Sequence, residues 1–146
     1  MDAMDDAIVT VLKDNGRASA SAIGKKVNLS VPAVLDRIRK LTQAGIIEGY
    51  TVKISRARTG RKLLAFVLVR LSGNESVQSF RGAAAGFDCV LECHHLAGSY
   101  DYLLKTAVSD TSALEHFLTD ELKAVKGVAE TNTLIVLATQ KEEVNA

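Results

Sequence analysis

The chain has 146 residues, of which 47% are hydrophobic and 24% are charged, and its formal net charge is +1. This length suits one or two small domains rather than a multidomain enzyme, and the composition is too apolar for a disordered protein. The longest uncharged apolar run, Leu63 to Val69, is only as long as a strand, so we expect no transmembrane helix. The acidic N-terminus lacks a signal-peptide pattern, and the cysteines, Cys89 and Cys93, give no disulfide framework, so we expect a protein of the reducing cytoplasm.

The small net charge hides a strong asymmetry between the two halves of the chain. Residues 1–60 carry a balance of +4 and residues 61–146 a balance of −3. The window from Arg17 to Lys62 holds eleven basic residues against two acidic ones. Segregation of this kind indicates a polyanion as partner, although a solvated basic face gives the same pattern. The element that carries the cations therefore decides between the two interpretations.

Two short helices are predicted before residue 28. The first follows Asp5–Asp6 and stops at Asn15–Gly16, and Ser19 is in position to cap the second. Both helices show apolar residues at helical spacing, which predicts one buried face on each. These residues are Ile8, Val9, Val11 and Leu12 in the first helix, and Ala22, Ile23 and Val27 in the second.

The third helix has the most informative surface. Ser30 occupies its N-cap position, Gly45 ends it, and Val34, Ile38 and Leu41 form its predicted buried stripe. The exposed side carries short side chains first and cations further along, as in a recognition helix that brings its start to base edges and its cations to phosphates. We therefore predict a DNA-binding helix-turn-helix, with a trihelical bundle lacking this function as the alternative. The predicted DNA-binding residues are Ser30, Val31, Pro32, Ala33, Asp36, Arg37, Arg39 and Lys40.

More specific predictions concern Asp36 and the residues that follow the third helix. Asp36 repels phosphate, and it either accepts a hydrogen bond from cytosine N4 or pairs with Lys40 one turn away. Residues 46–50 are predicted to form a short extended segment, as a wing or a return strand. Residues 51–62 form a short basic linker, and we expect its arginines to add phosphate contacts. These arginines are Arg56, Arg58 and Arg61.

The second half of the chain alternates strands and helices in the order β-α-β-β-α-β, which is the ferredoxin-like arrangement. One face of such a sheet is left without helices, so we expect a second subunit to cover it. A capping box at Ser112–Glu115 is expected to open the second helix, which Gly127 ends. The predicted strands are Leu63–Leu71, Asp88–Leu96, Tyr100–Val108 and Val128–Ala138, and the first helix is Glu75–Ala85.

The hairpin turn of this half is a candidate site for a zwitterionic amino acid. The backbone N–H groups of Gly98, Ser99 and Tyr100 suit a carboxylate, and Asp101 suits an ammonium group. The alternative is a plain tight turn with a glycine at positive φ. Weaker candidates for the same site are Thr131 and Thr133 on the last strand.

The cysteines and histidines of the second strand do not favour a metal site. Cys89, Cys93 and His95 share one strand face but are too spread out for one tetrahedral ion, and His94 points the other way. No residue pattern supports a nucleophilic pair or another catalytic constellation. We therefore predict no metal, no cofactor and no enzymatic activity.

Taken in order, these motifs resemble those of the Lrp/AsnC, or feast/famine, family of transcription regulators over nearly the whole chain. The resemblance implies a dimer formed through the C-terminal sheets, further assembly into an octamer or similar ring, and regulation by a small effector, commonly an amino acid. The motifs that carry it are Asn15-Gly16-Arg17, Val34-x-x-Arg37-Ile38-x-x-Leu41, Gly45-Ile46-Ile47-x-Gly49-Tyr50 and Cys93-x-x-x-Ala97-Gly98-x-Tyr100-Asp101.

Residues and resemblance together predict an α+β protein in three parts. These are a winged helix-turn-helix DNA-binding domain at 1–50, a basic linker at 51–62 and a ferredoxin-like effector-sensing and oligomerisation domain at 63–146. We expect a sequence-specific regulator that binds double-stranded DNA at the nucleoid in the cytoplasm, with no membrane partner. One alternative is an architectural nucleoid protein that compacts DNA without an effector. Another is a small enzyme that uses the C-terminal domain.

Overall fold

The computed structural model describes residues 1–143, except for the side chain of Glu75. Two compact units make up this part of the chain: residues 1–53 together with Glu143, and residues 54–142. The last three residues of the predicted domain 63–146 lie outside the described residues. None of the described helices is long and apolar enough to cross a membrane.

The N-terminal unit consists of three helices: α1 (Ala3–Asp14), α2 (Ala20–Val27) and α3 (Val31–Gln43). The predicted caps are confirmed, since the side chains of Ser19 and Ser30 accept hydrogen bonds from backbone N–H groups three residues on. Helix α1 begins earlier than predicted because Asp2 and Asp5 form a reciprocal capping box. The three helices confirm the predicted helix-turn-helix arrangement.

The core of this unit comes from the apolar stripes that the helical spacing predicts. Ile8, Ile23 and Val34 are fully buried, and Leu41 is nearly so. Ile38 is half-buried and packs on the same cluster, which completes the predicted stripe of α3. The stripe therefore turns the opposite side of α3 outward.

Residues 46–50 do not form the predicted wing or return strand. The chain closes α3 with a Schellman motif, in which Gly45 adopts φ 70° and the N–H of Ile46 donates to the carbonyl of Leu41 at 2.9 Å. Within residues 1–53, all of which are described, no strand is present to pair with the segment. An extended segment without a ladder partner gains no sheet hydrogen bonds, so residues 46–50 run as a turn and irregular chain.

The C-terminal unit is a four-stranded antiparallel sheet with helices on one face, in the order β2-β3-β1-β4. This confirms the predicted βαββαβ order. A 3₁₀ turn precedes α4, and α5 continues as π-helix over Phe117–Leu122. The elements are β1 (Leu63–Leu71), α4 (Val77–Gly86), β2 (Val90–His95), β3 (Tyr102–Val108), α5 (Thr111–His116) and β4 (Val128–Ile135).

The predicted capping box of the second helix is wrong. Asp110 is the N-cap of α5, and its carboxylate accepts from the N–H of Ala113 at 2.9 Å. Asp110 precedes Ser112 by two residues and caps the chain where it first turns, so the helix has already begun at Ser112. The inner face of this helix is apolar, since Leu114, Phe117 and Leu122 are buried.

The two faces of the sheet differ in their cover. On the helix-bearing face, Val67, Val69 and Leu104 are fully buried beneath Phe80 and Phe117. Side chains alternate between the two faces along each strand, so the residues in between point to the opposite face. Among these, Phe66, Leu68 and Leu103 are half-buried and Leu134 is 52% exposed. This second face is referred to below as the open face.

Candidate DNA-binding surface and effector site

The exposed side of α3 combines apolar and basic side chains. Val31 and Leu35 are 41% and 54% exposed, and the side chains of Arg39 and Lys40 are 63% and 67% exposed. Ser30 caps the helix at the apolar end of this surface. The structure therefore places most of the predicted DNA-binding residues on one accessible surface, with its cations towards the C-terminal end.

Asp36 pairs with both cations of this surface. Its two carboxylate oxygens lie 2.7 Å from Lys40 Nζ and 2.7 Å from Arg39 Nη2. Hydrogen bonds from Lys40 and Arg39 lower the pKa of Asp36 to about 2, so it stays ionised at neutral pH. Of the two roles considered for Asp36, the structure contains the pairing with Lys40.

Arg37 lies on the flank of α3 and contacts α1. Its Nη1 is 2.7 Å from a carboxylate oxygen of Asp2 and 2.7 Å from one of Asp5. These hydrogen bonds raise the pKa of Arg37, and Arg37 contributes to lowering the pKa of each partner. Arg37 thus fixes the start of α1 to the middle of α3, a role that helical spacing does not indicate.

Leu35 lies on the same surface, although it is not among the predicted DNA-binding residues. It lies one turn after Val31 and one turn before Arg39, on the exposed side of α3. The signal was present in this spacing, because 100° per residue places Leu35 outside the buried stripe. Because Leu35 is apolar, it was not expected among residues that contact DNA.

Two of the linker arginines are engaged within the C-terminal unit. Arg56 Nη1 donates to both carboxylate oxygens of Glu142, at 3.0 and 2.8 Å, and Arg61 Nη1 donates to the carbonyl of Asp88 at 2.9 Å. Hydrogen bonds from Lys105 and Arg56 lower the pKa of Glu142 to about 2. Arg58 is the linker arginine for which the described residues provide no side-chain partner.

Asp101 anchors the candidate effector turn to the edge of β1. Its Oδ2 accepts from the N–H of Leu71 at 2.7 Å, and its own N–H donates to the carbonyl of Val69 at 2.9 Å. Gly98 does not adopt the positive φ expected of a plain tight turn, because six residues, 96–101, separate the two strands and spread the reversal. The backbone N–H groups of Gly98, Ser99 and Tyr100 form no hydrogen bond to any described residue.

The other candidate effector residues are divided between the two faces of the sheet. Thr131 pairs with Val69 in the ladder and Thr133 with Val67, so their side chains lie on the helix-bearing face. The Tyr100 hydroxyl donates to Glu130 at 3.1 Å, and Glu130 also forms an ion pair with Arg70 on the open face. Asp101 and Thr131 therefore flank the same residue of β1, whereas Tyr100 turns to the opposite side.

Cys93 and His95 share the helix-bearing face of β2, and His94 lies on the open face, as predicted. Burial raises the pKa of the Cys89 and Cys93 thiols. Among the described residues, no three His, Cys, Asp or Glu side chains are grouped closely enough to hold a metal ion.

The fold and the surface of α3 define the class of protein. A helix-turn-helix unit with an exposed, cation-bearing third helix precedes a βαββαβ unit, and such a third helix is the element that helix-turn-helix proteins place in the major groove of DNA. Comparison with known families agrees, because residues 1–42 match the AsnC-type helix-turn-helix domain and residues 64–146 match the Lrp/AsnC ligand binding domain. The chain belongs to the Lrp/AsnC family of transcriptional regulators.

The similarity to named proteins and solved structures covers almost the entire chain. The leucine-responsive regulatory protein of Escherichia coli is 34% identical over 144 residues, covering 97% of this chain and 88% of the relative. A transcriptional regulator from Neisseria meningitidis, solved as a complex with L-methionine, is 30% identical with a TM-score of 0.95 and covers 99% of this chain and 94% of its own. The AsnC protein of Escherichia coli is 26% identical with a TM-score of 0.93, covering 99% of this chain and 97% of its own.

Proposed function

We propose that the regulator reads DNA with the exposed side of α3 and responds to an amino acid bound by its C-terminal unit. The observation that carries the DNA-binding part is the exposure of Arg39 and Lys40 on a helix that the rest of the unit holds by its opposite face. In this proposal the start of α3 approaches base edges and the two cations contact phosphates or guanine edges. The interface comprises Ser30, Val31, Pro32, Ala33, Asp36, Arg37, Arg39 and Lys40.

Arg37 enters this interface with a second role. Because its guanidinium binds Asp2 and Asp5, it orients α3 as well as adding charge near the phosphates. Arg58 is the linker arginine that remains available for a further phosphate contact, since Arg56 and Arg61 are already engaged.

The test of the DNA surface compares Arg39→Ala with Lys123→Ala, which removes an exposed charge from the C-terminal unit. Arg39→Ala is expected to weaken binding and to flatten the plot of log K against log salt by about 0.9 for each phosphate that the variant no longer neutralises. Lys123→Ala is expected to leave both quantities unchanged. Unchanged affinity of Arg39→Ala at physiological salt would show that α3 is not the reading helix.

The effector is proposed to bind at the turn between β2 and β3, near Asp101, with Thr131 and Thr133 as further contacts. The N–H groups of Gly98, Ser99 and Tyr100 are the donors for its carboxylate, and Asp101 is the partner of its ammonium group. The methionine complex of the Neisseria meningitidis relative supports an amino acid as the ligand class.

Isothermal titration with the twenty amino acids tests this site. Asp101→Asn keeps an oxygen that can accept from Leu71 but removes the charge, so it is expected to abolish binding without unfolding the turn. Glu115→Gln, an exposed change on α5, serves as the control. Absence of heat for every amino acid with the unmodified protein would refute the effector site and leave the DNA surface untouched.

Assembly is proposed to occur through the open face. Its half-buried and exposed apolar side chains, Phe66, Leu68, Leu103 and Leu134, are suited to a second copy of the same sheet. A two-fold dimer would present two copies of α3 to half-sites about one helical turn apart, and further dimers would complete an octamer or similar ring on the chromosome in the cytoplasm.

A further inference from the structure

Leu35 and Val31 are the exposed branched aliphatic residues of α3, and Leu35 is the more exposed of the two. Val34 and Leu41 are buried in the core, whereas Leu35 leaves 54% of its surface in water. Single exposed leucines are common on proteins, so exposure alone says little. The position of Leu35 is informative, because it lies inside the surface proposed to contact DNA.

The exposed residues of α3 follow a spacing that suits a DNA groove. Pro32, Leu35, Asp36 and Arg39 stand at i, i+3, i+4 and i+7, and residues at these intervals share one side of a helix. The recognition helix of homeodomains presents its base-contacting residues at the same intervals. Leu35 therefore lies on the same exposed side of α3 as Pro32 and Arg39.

The chemistry around Leu35 selects the group that it can contact. Asp36, Arg39 and Lys40 form a charged cluster on its C-terminal side, and Val31 continues its apolar surface towards the N-terminus. An aliphatic side chain gains nothing from a phosphate or a base-edge donor. The apolar group that the major groove displays is the C5-methyl of thymine.

We propose that Leu35 is a specificity-determining residue that packs against the C5-methyl group of a thymine in the major groove. This inference rests on the proposed DNA surface of α3. In this inference the charged cluster positions α3 on the DNA through contacts with phosphates. Leu35 distinguishes thymine from cytosine at one base pair of each half-site.

The test uses deoxyuridine, which lacks the methyl group but keeps every hydrogen-bonding edge of thymine. A preferred site is first selected from random duplexes with the full chain, and each thymine is then replaced in turn while affinity is measured by fluorescence anisotropy at one fixed salt concentration. The unmodified protein is expected to bind about fourfold less tightly when one particular thymine of each half-site is replaced, because one buried methyl group is then missing. Leu35→Ala is expected to bind the thymine site less tightly and to treat thymine and deoxyuridine alike at that position.

Two further variants control the comparison. Met4→Ala removes a 40% exposed apolar side chain from α1 and is expected to retain the fourfold deoxyuridine effect. Leu35→Met keeps an aliphatic contact and is expected to retain part of the thymine preference. Thermal unfolding of Leu35→Ala, expected to match the unmodified protein, shows that the fold is intact.

Two sets of results overturn the inference while the DNA surface stands. In one, no thymine is sensitive to methyl removal in the unmodified protein. In the other, Leu35→Ala keeps the deoxyuridine effect or weakens all duplexes equally. If Arg39→Ala also binds DNA normally, the proposed surface itself fails and the inference fails with it.

Discussion

Asp36 lies among the cations of the proposed DNA surface and neutralises part of their charge. Its carboxylate pairs with Arg39 and Lys40, and its pKa of about 2 keeps it charged at any pH relevant to binding. A permanent anion here lowers attraction to phosphates of any sequence. A residue that weakens non-specific attachment favours discrimination between sites, because the phosphate contribution is independent of sequence.

Asp36→Asn is therefore expected to tighten non-specific DNA binding. Removing the anion releases Arg39 and Lys40, so the slope of log K against log salt should steepen by about 0.9 for each additional phosphate that is neutralised. The measurement is a salt titration on a duplex without a preferred site, with Glu48→Gln as a charge-matched control outside α3. An identical slope for Asp36→Asn and the unmodified protein would show that Asp36 does not hold Arg39 and Lys40 away from phosphates.

At the scale of elements, α3 is held against α1 by charge as well as by the core. Arg37 reaches Asp2 and Asp5 across more than thirty residues of sequence. Helical spacing marks Arg37 as a flanking cation but does not identify its partners, so this contact could not be predicted. The buried stripe of Val34, Ile38 and Leu41 was predictable, because it depends only on the period of the helix.

The ion pairs of Arg37 predict a specific acid sensitivity. The pKa values of Asp2 and Asp5 lie below the ordinary 3.8 in the folded chain. Their stabilising contribution is therefore present above about pH 4 and is lost as the pH falls through the lowered folded-state values. Arg37→Met should lower Tm near neutral pH and reduce the further fall of Tm in acid. The test measures Tm as a function of pH, with Arg17→Met as the control. Parallel curves of Tm against pH for Arg37→Met and the unmodified protein would refute a stabilising role of these ion pairs.

The turn between α2 and α3 depends on a glycine. A Cβ on Gly24 would lie 2.5 Å from the carbonyl oxygen of Leu29, which is backbone and cannot swing aside. Gly24→Ala is expected to destabilise the N-terminal unit by about 1–3 kcal/mol, as overpacking does. Gly16→Ala, where the nearest atom would lie 3.8 Å away, should cost far less. Chemical denaturation measures the free energy of unfolding of both variants. Equal stability of the two would contradict the close approach of Gly24 to the Leu29 carbonyl.

Features that depend on distant parts of the chain could not be predicted from local sequence. Ser112 and Asp110 are both acceptable N-caps. The capping-box spacing from Ser112 to Glu115 favours Ser112, whereas the helix begins after Asp110. The predicted wing failed because a strand depends on a partner that the local sequence does not specify. The sheet order was predictable from the alternation of strands and helices, but the hydrogen bond from Leu71 to Asp101 joins residues thirty apart and was not.

At the scale of the whole molecule, the open face is the surface that we propose a second copy covers. Leu68 lies near its centre, between Leu103 on β3 and Asn132 on β4. Leu68→Glu is expected to convert the assembly to monomers and to weaken operator binding by about a hundredfold, because two linked reading helices gain avidity. Sedimentation shows the mass, with Gln78→Glu on α4 as the control. An unchanged mass for Leu68→Glu would exclude this face as the interface.

The charge asymmetry divides the chain at the start of the sheet rather than between the two compact units. The basic window, residues 17–62, ends where the sheet begins, and its last four cations, Arg56, Arg58, Arg61 and Lys62, belong to the unit 54–142. Cations ahead of the sheet attract DNA, whereas residues 63–146, with six basic and eleven acidic residues, repel it. A net charge near zero is therefore compatible with a strong DNA binder.

Footprinting across a genomic DNA library distinguishes a protein that reads sequence from one that coats DNA. A regulator that reads DNA with α3 is expected to protect discrete sites that share a two-fold related motif, with half-sites about one helical turn apart. Arg39→Ala is expected to lose those sites at physiological salt. Uniform protection along the DNA, unchanged by that substitution, would contradict sequence-specific reading by α3.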